Sequence, residues 1–169
     1  MRSIEIKKNI KSYSKITAGG FSLVELIIVI TFLAIFASVG LTRTKLGVDK
    51  IRTQVAIDQI TSDIDILRSM AFAKHDTLTM VFSLLSDSYT IYTGPNGGRS
   101  ILTNFPNSTN GVVSFRNSNF SEVDIISANF GGSSELQFLP LGDLKTGGSI
   151  SINSNTITIK DLTGKWIVN

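Results

Sequence analysis

The dominant feature of the hydrophobic pattern is an apolar run from Phe21 to Leu41. At a helical rise of ~1.5 Å per residue it reaches ~30 Å, the thickness of a bilayer's hydrocarbon core. Its polar interruptions are Ser22, Glu25, Thr31 and Ser38. The hydroxyls can bond back to the helix backbone. A carboxylate cannot be hidden that way, and at the bilayer centre it costs roughly 2.5 kcal/mol or more. Glu25 is therefore a functional candidate before any other residue.

The pattern changes after Leu41 but stays helical. Ile57, Ile60, Ile64, Leu67 and Ala71 recur at spacings of three and four, and Ile51 and Val55 extend the stripe upstream. This predicts an amphipathic helix over 42–75, with Lys50, Arg52, Asp58, Asp63, Asp65 and Arg68 on the opposite, polar side. Gly40 and Gly47 each cost a helix ~1 kcal/mol relative to alanine, so a bend or melted turn is expected between the apolar and amphipathic halves.

From Asp76 onward the period is that of strands. Thr77–Leu84 and Tyr89–Thr93 flank the turn Ser86-Asp87-Ser88 and predict a hairpin. Gly94-Pro95-Asn96-Gly97-Gly98 is a loop, and residues 99–110 carry no clear signal. Val112–Phe115 reads as a strand. The stretch 117–134 is polar, with short pairing at Val123, Ile125 and Ile126. Glu135–Leu139, Ser149–Ile152, Thr156–Lys160 and Lys165–Val168 follow, the last three as an antiparallel meander. The class is α+β: a long N-terminal helix, half apolar and half amphipathic, packed against a C-terminal antiparallel sheet.

Composition bounds what this fold can do. A chain of 169 residues supports one globular domain. Cysteine is absent, which excludes disulfides and thiolate chemistry. The net charge of +3 is misleading, because residues 1–20 hold five bases and one acid. Removing them leaves 11 Lys/Arg against 12 Asp/Glu, so the basic character is a targeting feature and not a nucleic-acid footprint. The bases Arg2, Lys7, Lys8, Lys11 and Lys15 place the N-terminus in the cytoplasm by the positive-inside rule. With no second apolar span, the remainder crosses to the other side. His75 is the only histidine, so His-based metal clusters and relays are excluded, and its expected role is a cation at a helix C-terminus. Asp87, Asp124, Asp143 and Asp161 match no calcium-ligand spacing. The glycine-rich stretch Gly94–Ser100 lacks phosphate-loop spacing. No enzyme, cofactor or metal is expected.

The junction Gly19-Gly20-Phe21-Ser22-Leu23-Val24-Glu25 opens the apolar run, and a secretory-type cleavage site after the run is poor. Glycine, then an aromatic residue, then an acid at the fifth position, then continuous apolar sequence, resembles the leader junction of type IV pilins and type II secretion pseudopilins. The resemblance implies cleavage between Gly20 and Phe21 by the prepilin peptidase and N-methylation of Phe21. It also implies that Glu25 registers the subunit by meeting the amine of a neighbour. One departure is Thr42, where major pilins usually carry proline just past the run.

The C-terminal half resembles the GspH/FimT-type minor pseudopilin domain. The matching segments are Leu136–Gly142, the Gly147-Gly148 turn, two strands, and Gly164-Lys165 opening the last strand. Some minor pilins of this kind take up DNA through a Gly-Arg-x-Arg pattern. Here only Lys165 is basic, with Trp166 beside it as a stacking residue, so nucleic acid is an unfavoured partner.

The resulting expectation has four segments. Residues 1–20 are a cleaved cytoplasmic leader, 21–41 a transmembrane and filament-core helix, 42–75 an amphipathic helix, and 76–169 a β-rich periplasmic domain. The implied partners are the prepilin peptidase, other pseudopilins or pilins, and an inner-membrane assembly platform, with a single pass through a bacterial inner membrane. The alternatives are a minor type IV pilin, serving pilus assembly, adhesion or DNA uptake, and a membrane-anchored binding domain that does not assemble.

Overall fold

The computed structural model describes Gly20, residues 22–116, Phe120, residues 122–161 and residues 163–169, with backbone only for 40–46. The expected leader and Phe21 lie outside the described residues. The chain divides into two compact units, Met1–Thr42 and Arg43–Asn169. One helix, α1, is assigned over Leu23–Lys74.

In the first unit α1 starts where the sequence favours it. Ser22 stands just outside the helix, and its carbonyl accepts the first intrahelical bond from the Leu26 amide at 3.1 Å. Glu25 then occupies the third helical position, so Ser22-Leu23-Val24-Glu25 has the Ser-x-x-Glu spacing of a capping box. Two internal hydroxyls are satisfied locally: Thr31 Oγ1 donates to Ile27 O at 2.7 Å and Ser38 Oγ to Ile35 O at 2.8 Å. Among the described residues no helical stretch is long and apolar enough to cross a membrane. Of the expected run, Phe21, Gly40 and Leu41 lie outside the residues whose side chains are described.

In the second unit the stripe of α1 is buried only from Ala56 onward; Ile51 and Val55, expected to extend it upstream, are 65 % and 48 % exposed. Ala56, Ile57, Ile60, Ile64, Leu67 and Ala71 are all buried. Full burial of a large aliphatic side chain is worth about 1.5–3 kcal/mol, so this stripe fixes the helix to the sheets. The melted turn expected near Gly40 and Gly47 is not there, since helix is assigned through both. The local propensity cost of two glycines is spread over a helix of 52 residues. The helix ends at Lys74 by a glycine-type cap made with a histidine. His75 adopts φ +51°, Asp76 N donates to Ala71 O at 3.3 Å, and His75 N donates to Phe72 O at 3.4 Å. His75 thus serves the helix end through its backbone.

Two antiparallel sheets complete the unit. The first is built from β1 (Leu78–Ser83), β2 (Ser88–Thr93), β3 (Ser100–Ile101), β4 (Val112–Ser114) and β6 (Glu135–Phe138). Its order is β3-β2-β1-β6, and β4 shares the outer edge of β2 with β3. The second has the order β5-β7-β8-β9, from β5 (Ile125–Asn129), β7 (Gly148–Ile152), β8 (Asn155–Ile159) and β9 (Trp166–Val168). The hairpin of β1 and β2 and the terminal meander both form as expected. The unclear stretch 99–110 contributes β3 and two buried anchors, Leu102 and Phe105. Apolar residues of α1 and of both sheets form a single core.

Two polar residues join elements distant in sequence. Asp87, in the β1–β2 turn with φ +43°, accepts the Ile125 amide of β5 at 3.1 Å and Arg116 Nε at 3.1 Å. Asn153, in the β7–β8 turn, donates from Nδ2 to Thr53 Oγ1 of α1 at 2.9 Å and to Glu122 O at 2.8 Å. Its Oδ1 accepts the Asp124 amide at 2.9 Å.

Candidate functional site

Gly20 and Glu25 lie at the helix start, as the sequence placed them, and both are exposed. Phe21, the proposed methylation position, lies outside the described residues. Glu25 makes no ion pair among the described residues. It stands in the first turn of α1, where unpaired amides give a helix N-terminus partial positive character. The carboxylate therefore has two chemical uses: capping its own helix, and pairing with a cation brought by another molecule.

The side chains C-terminal to Glu25 determine where such a helix can exist. Leu23, Val24, Leu26, Ile27, Ile28, Val29, Ile30, Phe32, Leu33, Ile35, Phe36 and Val39 are each 49–75 % exposed. They surround the helix and do not form one stripe. A helix apolar on all sides is covered either by lipid or by other helices. The site is thus a helix surface that requires partners, with a single acid in its first turn.

Lys165 and Trp166, the second pair of sequence candidates, stand at the start of β9. Gly164 precedes them with φ +61°, and an added Cβ there would lie 3.2 Å from Phe138 Cε1, which explains the glycine. Lys165 is exposed, and its carbonyl accepts the Lys160 amide at 2.8 Å. Trp166 is 38 % exposed, and its Nε1 donates to Asp65 Oδ2 at 3.2 Å. The indole therefore sits against an acidic position of α1, which repels a phosphate backbone.

Sequence reasoning missed the most unusual polar group. Asp63, expected on the polar side of α1, is fully buried. Counting back and forward by turns, it shares a face with Ala56, Ile60 and Leu67. Its Oδ2 accepts the Tyr89 hydroxyl of β2 and Gln59 Nε2, the latter at 2.9 Å. Oδ1 has no partner among the described residues. Burial raises the Asp63 pKa above the usual carboxylate range, and the two donated hydrogen bonds only partly oppose this. The Tyr89 hydroxyl is likewise pushed up, first by burial and then by the neighbouring carboxylate. Tyr89 was the available signal, since a strand tyrosine that turns to the core needs a polar partner.

A surface ion pair closes the other end of the first sheet. Arg99 donates to Glu135 from Nη1 and Nη2, at 2.9 and 3.0 Å, and lies 4.7 Å from the Tyr92 ring centroid. Among the described residues no group of three or more His, Cys, Asp or Glu is placed to hold a metal ion.

Comparison of the fold with solved structures gives a consistent answer. The chain is similar to the minor pseudopilin EpsH of the type 2 secretion system of Vibrio cholerae, with a TM-score of 0.53 and 12 % identity, over 69 % of this chain and 94 % of that one. A second structure of the same Vibrio cholerae pseudopilin aligns with a TM-score of 0.54 and 12 % identity, over 69 % of this chain and 92 % of that one. At this identity the likeness is one of fold. No protein-family model and no curated protein matches the sequence.

Proposed function

We propose that this chain is a minor pseudopilin, a non-enzymatic structural subunit of a type II secretion pseudopilus that serves protein export across the outer membrane. The observation that carries the reading is the helix surface of Leu23–Val39, apolar on every side with Glu25 in its first turn. The shared fold with a minor pseudopilin supports it independently.

The working sequence follows from the chemistry of the junction. The leader and apolar helix insert the chain in the inner membrane with residues 1–20 cytoplasmic and the β-rich unit periplasmic. The prepilin peptidase cuts after Gly20 and methylates the new amine on Phe21. That amine is a cation about one turn from Glu25. A straight helix keeps the two apart, so the carboxylate pairs with the amine of a neighbouring subunit. An unpaired charge in an apolar medium is costly, and only the correct axial register relieves both charges at once. Helix–helix packing then buries the rest of the apolar surface in the filament core, with the assembly platform supplying the subunits.

The Ser-x-x-Glu spacing at the helix start supplies the test. Glutamine serves at the third position of a capping box as glutamate does, but carries no charge. Incorporation into pseudopili, measured by shearing and immunoblotting, is therefore expected to fail for Glu25→Gln and for Glu25→Ala alike, while membrane levels stay normal. Normal incorporation of Glu25→Gln would reduce the acid to a helix cap and remove the registration role.

A further inference from the structure

The meander of the second sheet ends on an open edge. Thr156 and Asn169 exchange both backbone hydrogen bonds at 2.9 Å, and Lys160 N donates to Lys165 O at 2.8 Å. Hydrogen-bonded pairs alternate along an antiparallel ladder, so Ile167 bonds to β8 while Trp166 and Val168 turn their N–H and C=O groups away from it. No described residue takes up these outward groups. Trp166 and Val168 stand opposite Ile159 and Ile157, both buried, so their side chains lie on the core face of the sheet, toward α1.

Between this edge and α1 runs an open groove of about 620 Å³. Its apolar wall is Ile66, Met70, Ala73 and Trp166. Asp58 and Asp65 line the same groove. The Asp58 carboxylate accepts from the neutral Gln54 amide and the Asp65 carboxylate from the Trp166 indole, and neither has a cationic partner among the described residues. Unpaired main-chain groups, an apolar floor beneath one face, and two unneutralised carboxylates together describe an acceptor for a strand.

We infer that β9 accepts an extended segment of a partner protein, added antiparallel or parallel to Trp166–Val168, with apolar side chains at alternate positions filling the groove and a lysine or arginine meeting Asp58 and Asp65. The charge fixes the choice of occupant: an acidic or neutral strand would leave both carboxylates facing an apolar contact. The alternation follows from the sheet, because only every second side chain of an added strand points to α1. Main-chain bonds supply affinity and the Asp pair supplies selectivity. The inference stands whether or not the chain assembles into a filament.

The test uses the full chain in detergent micelles with two soluble seven-residue probes. Both alternate valine with threonine; one begins with arginine and the other with glutamate. Saturating arginine probe is expected to slow amide exchange at Trp166 and Val168 and to shift Trp166 fluorescence. It should bind about fivefold more tightly than the glutamate probe, the scale of an accessible ion pair. The double variant Asp58→Asn, Asp65→Asn should erase that preference without preventing binding. Val168→Pro removes an outward N–H that β8 does not use, and should weaken both probes at least fivefold, read from Trp166. Unchanged exchange at saturating peptide overturns the inference, as does equal binding to the Val168→Pro chain. Protection of the same amides that rises with protein concentration in the absence of peptide also overturns it, by assigning the edge to a second copy.

Discussion

At the scale of the residue, the most consequential side chain outside the helix start is Asp63. It is a buried acid with one oxygen satisfied twice and the other unpaired. Its pH dependence has a definite sign. The folded-state pKa is raised, so between the unfolded value of about 3.9 and the folded value the native state holds more protons than the unfolded state. Stability contributed by this group therefore falls as pH rises through that window, opposite to a salt-bridged carboxylate. Asp63→Asn should flatten this dependence: the stability difference between wild type and Asp63→Asn, from urea titrations at several pH values, should move against wild type as pH rises and then level off. Tyr89→Phe leaves the carboxylate with Gln59 alone and should cost about 1–3 kcal/mol in the same assay at neutral pH, the penalty for a buried polar group losing its partner. The position was hidden in the sequence because an acid between Ser62 and Ile64 is assigned to solvent by type. Its spacing from Ile60 and Leu67 places it in the core.

At the scale of the element, the sequence was legible where one periodicity dominates. The stripe from Ile57 to Ala71 predicted the buried face of α1, and the alternation in 149–168 predicted the terminal meander. It was illegible where short pieces depend on tertiary pairing. β3 has two residues, and its pairing with Tyr92 and Thr93 leaves no local pattern. β5 runs through Ser127 to Asn129 because β7 offers an edge there, and a register shift between Ile125 and Ser127 breaks its alternation. Glycines carry information that composition conceals. An added Cβ at Gly148 would lie 2.0 Å from Asn129 O, across the β5–β7 pair. Gly148→Ala is therefore expected to separate those strands, at a cost on the order of 3 kcal/mol or more. Gly164→Ala meets the edge of Phe138 and an unfavourable φ, and should cost about 1–2 kcal/mol. Thermal unfolding followed by circular dichroism ranks the two, and equal melting temperatures would contradict the strand-contact explanation.

At the scale of the whole molecule, the two units rest on different physics. Among the described residues, every buried core side chain belongs to residues 56–159, within Arg43–Asn169. The described large apolar side chains of the first unit are instead exposed. A chain shortened to residues 43–169 should thus remain soluble and unfold in one cooperative transition, since it keeps the whole core and loses a surface that water does not tolerate. Aggregation of that chain, or the lack of a transition, would mean that the first unit is needed for folding. The division also explains why a candidate site stood out at the N-terminus of the sequence and none did in the sheets. A glycine, an aromatic residue and an acid at fixed offsets are a local chemical pattern. The exposed edge of β9 and its groove come together only in three dimensions.

The most direct measurement of the filament-subunit account is the intact mass and N-terminal sequence of the protein recovered from its native membrane. The account predicts a chain that begins at Phe21 and carries one added methyl group on its amine. A chain that still begins at Met1, in cells whose prepilin peptidase processes its other substrates, would contradict it and leave residues 21–41 as an anchor alone.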